Sequence, residues 1–249
     1  MLRRALPLLL ATPALAQPAP LLVLGTGATE TPIEQVAHAF TLDTGRLVRT
    51  ATGNGGQVAA RIRAGEAPDV VLNASAAIDA LIAEGFAGQR REMGRMRLGV
   101  GIRAGGVVPD LGTEATLGDF LRAASSIGIS DATTGATSGL HVLALLERLQ
   151  VPAEATGGPR RAPFARGIGA VQAVARGEVA CVITQISEIV AVPEATLVAP
   201  LPEHLQLVTA YVAAIPTRAP DPTGAARFIA LATSPACQEF FRAAGFAVG

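Results

Sequence analysis

From Leu21 onward, short apolar runs alternate with longer segments whose apolar residues recur at helical spacing, and this alternation admits few folds. Strands buried under helices on both faces read this way, which predicts an α/β fold built on a mostly parallel sheet. In the first unit, residues 21–24 form a strand and 25–31 a turn, and Ile33, Val36, Ala37 and Phe40 mark a helix face, with Thr31 as N-cap and Pro32 at the first helical position. The second unit is a strand over 46–52, a loop over 53–56 and a helix over 57–64 that Gly65 ends. A third strand over 69–72 passes through the loop Asn73-Ala74-Ser75 into a helix carrying Ile78, Leu81 and Ile82. Further strands are expected over 96–102, 127–130, 179–184 and 205–215, and helices over 117–123, 141–149, 168–176, 225–231 and 236–244. Between them, 131–139 reads as a polar loop, as does 157–163.

The N-terminus follows a different logic. Arg3 and Arg4 precede an apolar run that ends in Ala14-Leu15-Ala16, the layout of a secretory signal peptide, with cleavage expected after Ala16. The run is shorter than the roughly 20 residues of a membrane span and contains Pro7 and Pro13. The mature chain is therefore expected to act in the periplasm. The full 249-residue sequence has a formal charge of zero and no strongly basic block, which removes the electrostatic footprint of nucleic-acid binding. Two cysteines do not make a disulfide framework, and Cys181 lies in an apolar run where a free thiol packs as a small hydrophobe.

Four glycine-rich or polar loops fall where a strand ends and a helix begins, the crevice where open α/β sheets bind ligands. They contain Thr26, Gly27, Ala28 and Thr29; Asn54, Gly55 and Gly56; Asn73; and Thr134, Thr137 and Ser138. Helix N-termini present unpaired N–H groups there, so such loops attract an anion without any formal positive charge. One loop alone is an ordinary cap; four divided between two lobes point to a shared anion site.

The opening strand and loop, Ala64-Gly65-Glu66-Ala67-Pro68-Asp69-Val70-Val71 with Ile78-Asp79-Ala80-Leu81-Ile82-Ala83-Glu84-Gly85, and Ser130-Asp131 leading to Thr137-Ser138-Gly139 carry a wider likeness. So do Val174-Ala175-Arg176-Gly177-Glu178 and Thr233-Ser234-Pro235-Ala236. Together they make the chain resemble the molybdate-binding-protein-like branch of the type II periplasmic solute-binding proteins. The resemblance implies two α/β lobes with helices on both sheet faces, here 17–94 with 205–249 and 95–204, closing on a small oxyanion. It also implies a monomer that needs no cofactor or metal and hands its ligand to a membrane permease of an ABC-type importer.

The chain departs from the molybdate pattern at the ligand. The serine expected in the first loop is Ala28, the second loop is Asn54-Gly55-Gly56 in place of serines, and the usual late tyrosine is replaced in Thr184-Gln185-Ile186-Ser187-Glu188. Glycines leave room for a larger ligand, and Asn54 and Gln185 can donate to carboxylates. One subgroup of the resembled family is an aconitate isomerase, whose chemistry needs a base and an acid. His141 and Glu188 are the candidates for those roles. Other chemistries fail on spacing: Glu30 stands where a dinucleotide fingerprint needs its third glycine, the serine of 135–139 is one place late for a nucleophile elbow, and no histidine–cysteine spacing suits zinc. Arg160, Arg161 and Arg166 lie in or beside a loop, within reach of an anion, but read as surface arginines.

Overall fold

The computed structural model describes residues 19–249, so the expected signal peptide lies outside the described residues. The elements run β1 Leu21–Thr26, α1 Glu30–Thr44, β2 Val48–Gly53, α2 Gly55–Arg63, β3 Val70–Ala74, α3 Ser75–Ala83 and β4 Ala87–Arg103. They continue with α4 Glu114–Ala123, β5 Ser126–Ser130, α5 Thr137–Arg148, β6 Arg160–Phe164, α6 Gly167–Ala175, β7 Cys181–Gln185, α7 Ile186–Val190 and β8 Ala195–Pro200. The chain closes with β9 Val208–Pro216, α8 Pro222–Ala232 and α9 Pro235–Ala243.

The sheet order is β2-β1-β3-β9-β4-β7-β5-β6, with β8 also paired to β4. Strand β4 is the link between two lobes. Its residues from Ala87 to Arg97 pair with β9, and those from Leu98 to Arg103 pair with β7 and β8. Within the lobes, β1–β2, β1–β3, β5–β6 and β5–β7 are parallel, as strand–helix–strand units require. The antiparallel pairings all involve β4 or β9, the strands that cross between lobes or lie beside the crossing.

Helices cover both faces of each lobe, and strand alternation sorts the side chains. In the first lobe Leu21, Val23, Val70 and Leu72 pack under α1, α8 and α9, while Leu24 and Val71 face α2 and α3. In the second, Ile127, Ile129, Cys181 and Ile183 pack under α4 and α5, while Val182 faces α6 and α7. Cys181 and Cys237 are free thiols buried in separate cores, and burial pushes the Cys181 thiol up to about 12.

Several sequence readings shift. The helix expected after Thr31 begins at Glu30, with Thr29 in the N-cap position. Residues 157–163, read as loop, contain most of β6, an edge strand whose arginines and Pro163 hide it; proline is tolerated at an edge because one side needs no N–H donor. Strand β4 starts nine residues before the expected 96, because its polar first half has a ladder partner on one side and water on the other. Asn73 and Ala74 end β3, and Thr137, Ser138 and Gly139 belong to the first turn of α5, so neither stretch is a free loop. Strand β8 and helix α7 were not expected at all.

Asp69 ties the first lobe together. Its buried carboxylate accepts from the N–H of Leu22 at 2.7 Å and of Asp221 at 2.8 Å, joining the start of β1 to the cap of α8. Asp69→Ala orphans both donors and is expected to destabilise the protein by about 3 kcal/mol, read as a lower urea midpoint with an unchanged slope. A midpoint within error of wild type would contradict this role.

Candidate functional site: a cleft between the lobes

Three helices begin at the seam between the lobes. Gly55 opens α2, Thr137 opens α5 and Gly167 opens α6, and all three line one cleft. The first N–H groups of each helix have no acceptor within it and carry the positive end of the helix dipole, so the cleft is built for negative charge. Around them stand the hydroxyls of Thr26, Thr137 and Ser138, the amide of Gln185, the phenol of Tyr211, and two formal charges, Arg166 and Glu188. The buried Gln185 Oε1 makes no hydrogen bond with any described residue, and the buried Thr26 hydroxyl has only the neighbouring Tyr211 phenol to engage. Buried polar atoms are rarely left unpaired, which marks Gln185 Oε1 as a group for a ligand or water.

The lobes stand closed. The cavity measures about 30 Å3, room for roughly two waters. Asn54 Nδ2 donates across the seam to the Thr134 hydroxyl at 2.5 Å and to the Ala165 carbonyl at 3.1 Å, while its Oδ1 accepts from Gln57 N in the capping box of α2. Asn54 is thus fully committed to closing the lobes and capping a helix, and is no free donor to a carboxylate. Asn73 is similarly engaged, holding the Gly55 carbonyl through Nδ2 at 2.9 Å. Gly56 packs against the Thr134 carbonyl so closely that any side chain there would collide with it.

Glu188 is the unusual member. It sits in α7, only 5 % exposed, and its carboxyl fills the space that side chains at Gly27 and Gly167 would need. Those two glycines come from opposite lobes. Burial raises the Glu188 pKa above the ordinary value; the Thr184 hydroxyl donating at 2.5 Å, the Ile168 N–H and the charge of Arg166 oppose that rise, and Glu30 adds to it. The phenol of Tyr211 is also pushed up, by burial first and then by the Glu188 charge, and so stays a neutral donor.

Residues 21–247 match the family described as bacterial extracellular solute-binding proteins. The chain belongs to that family. It is 32 % identical over 228 residues to an aconitate isomerase from a Pseudomonas species, covering 88 % of this chain and 84 % of the relative. Among solved structures, the periplasmic molybdate-binding protein of Azotobacter vinelandii aligns with a TM-score of 0.74 at 22 % identity, over 92 % of this chain and 99 % of that one. PEB3 with bound L-phospholactate aligns at 0.69 and 15 % identity, over 92 % and 100 %. These likenesses confirm the two-lobed fold.

In this solute-binding protein the cleft gathers Thr26, Gly27, Ala28, Asn54, Gly55, Asn73, Thr137, Ser138, Gln185 and Glu188, as the strand-end loops suggested. Thr29, Gly56, Thr134 and His141 lie outside its lining. Thr29 braces the first turn by donating to the Thr26 carbonyl, and Gly56 and Thr134 meet at the seam. His141 sits one turn along α5, which aims its N-terminus at the cleft, and its Nε2 lies 2.9 Å from the Leu205 carbonyl. Arg166, read as a surface arginine, lines the cleft, as does Tyr211, which no strand-end loop contains. Arg166 follows the unrecognised β6 and so lost its strand-end position in the sequence reading. Tyr211, the only tyrosine of the chain, lies within β9, where a search of loops does not look.

A carboxyl whose folded pKa is raised binds its proton more tightly in the folded state. Its contribution is fully present below the unfolded value near 4.5 and is lost as pH rises through the folded value. Glu188→Gln removes that loss. The variant is therefore expected to gain stability over wild type as pH rises from 4 to 8, measured by denaturant titration at each pH. A difference that does not change with pH would contradict a raised Glu188.

Proposed function

We propose that this protein works in the periplasm, closes on a small polycarboxylate, and interconverts cis- and trans-aconitate without a cofactor. The observation that carries the reading is the Glu188 carboxyl, buried in the cleft at the N-terminus of α6 with its pKa raised by burial. A site that only gathered anions gains nothing from a carboxylate in its wall, whereas a base that must also return a proton is served by a pKa moved toward neutrality. The likeness to an aconitate isomerase adds support.

The chemistry balances with one proton. Glu188 as carboxylate takes a proton from the methylene carbon of aconitate, and the electron pair left behind forms a double bond to the central carbon. The former double bond gives its electrons to the adjacent carboxylate, and the carbanionic end then recovers the proton from Glu188. The double bond has moved between allylic positions, which exchanges cis for trans, and no oxidation occurs. Charge that builds on the carboxylates meets the helix N-termini at Gly55 and Thr137 and the neutral Tyr211 phenol. A tricarboxylate exceeds the present cavity, so the lobes close less far around it by hinge motion at the crossing strands.

The second reading is capture of a small oxyanion, molybdate-like or organic, for a membrane permease of an ABC-type importer. It draws on the seam contacts of Asn54 and Thr134, which hold the lobes together as a delivery protein needs. Proton NMR on cis-aconitate separates the two. Wild type should form trans-aconitate; Glu188→Gln should lose about 100- to 10,000-fold of the rate, and His141→Ala should lose none. Absence of turnover in wild type, with an anion raising the melting temperature, would overturn the isomerase reading and favour capture.

A further inference from the structure

Among the described residues, Arg166 is the one cation lining the cleft, and half of its guanidinium donates to none of them. From the second lobe, its Nη1 donates to Glu30 at 3.0 and 3.1 Å and to the Thr52 hydroxyl at 2.6 Å, both in the first lobe. The Thr52 hydroxyl in turn donates to Glu30 Oε1 at 3.0 Å. A single nitrogen carries every one of these contacts. Nε and Nη2, which form the flat edge suited to a carboxylate, donate to no described residue.

The same chain shows what that edge does elsewhere. Arg61 grips Glu66, Arg63 grips Glu84 and Arg176 grips Glu178, each through Nε and Nη2 together. Paired donors of this kind give an arginine both strength and orientation toward a planar anion. At Arg166, a residue that lines the anion cleft, the corresponding edge donates to no described residue while Nη1 is held from across the seam.

We propose that the Nε–Nη2 edge of Arg166 receives one carboxylate of the ligand, and that Glu30 and Thr52 are positioning residues that fix this edge only when the lobes approach. This rests on the polycarboxylate reading and sharpens it: one carboxylate goes to the arginine and the others go to the helix N-termini. Ligand recognition and closure are then one event, since the arginine comes from one lobe and its brace from the other. The long Arg166 and Glu30 side chains keep contact over a range of closures. With the lobes closed, Glu30 also offsets part of the positive charge of Arg166.

The test uses the mature protein and three saturated acids that cannot turn over: tricarballylate, and glutarate and methylsuccinate, which each lack one of its carboxylates. Affinities come from isothermal titration, with thermal unfolding of the ligand-free proteins as a check on folding. Wild type should favour tricarballylate over the tighter dicarboxylate by about 10- to 100-fold, the worth of one charge-assisted pair. Arg166→Ala should shrink that preference to within about threefold, because only the helix sites remain. Arg166→Lys keeps the charge without the flat edge and should lose most of it too. Glu30→Gln should reduce it partly.

Equal weakening of all three ligands by Arg166→Ala would reduce the arginine to a clasp between lobes and overturn the proposal, as would no change. If wild type binds none of the three acids, the polycarboxylate reading itself falls and takes this proposal with it. Failure confined to the variants leaves that reading standing.

Discussion

The site depends on one contact, the Glu188 carboxyl pressed between the backbones of Gly27 and Gly167. Each glycine matters because a side chain would occupy the place of a carboxyl oxygen. One glycine belongs to the turn after β1 and the other to the first residue of α6, so the two lobes must close before the carboxyl is fully enclosed. Enclosure strips water from Glu188 and raises its pKa; the Thr184 hydroxyl and the Ile168 N–H stop it from being a wholly unpaired buried charge. Closure therefore desolvates Glu188 in the same movement that narrows the cleft.

Polar residues at strand ends divide into two jobs that sequence alone does not separate. Asn54, Asn73 and Thr134 spend their side chains on other parts of the protein, holding the seam and the loop of α2. Thr26, Thr137 and Gln185 keep groups for the cleft. The distinction is one of hydrogen-bond accounting: a side chain with every donor engaged cannot also hold a ligand. Asparagine has only two N–H bonds to give, and at Asn54 both cross the seam.

The alternation of apolar runs was enough to read the fold class, and the recurrence of polar loops at strand ends was enough to read most of the cleft. Both follow from local rules, strand burial and helix capping. What stayed hidden came from non-local facts. Strand β6 carries arginines and a proline that only its edge position excuses. Tyr211 reaches the cleft because β9 lies between β3 and β4, a pairing no local pattern encodes. His141 attracted attention as a titratable residue just after Ser138, but the helix carries it a turn away from the cleft to the Leu205 carbonyl. Glu188 was legible as a candidate, while its burial and its two glycine neighbours were not.

The central claim is that closure strips water from Glu188 and raises its pKa beside a bound anion, so that one carboxyl can both take and return a proton. It is tested most directly by carbon NMR on protein with labelled glutamate carboxyls, bound to tricarballylate, with the Glu188 signal assigned by its absence in Glu188→Gln. A Glu188 signal that passes from acid to carboxylate above the ordinary carboxylate range of pH is the result this account requires. A Glu188 that titrates like an exposed glutamate with the ligand in place would contradict it.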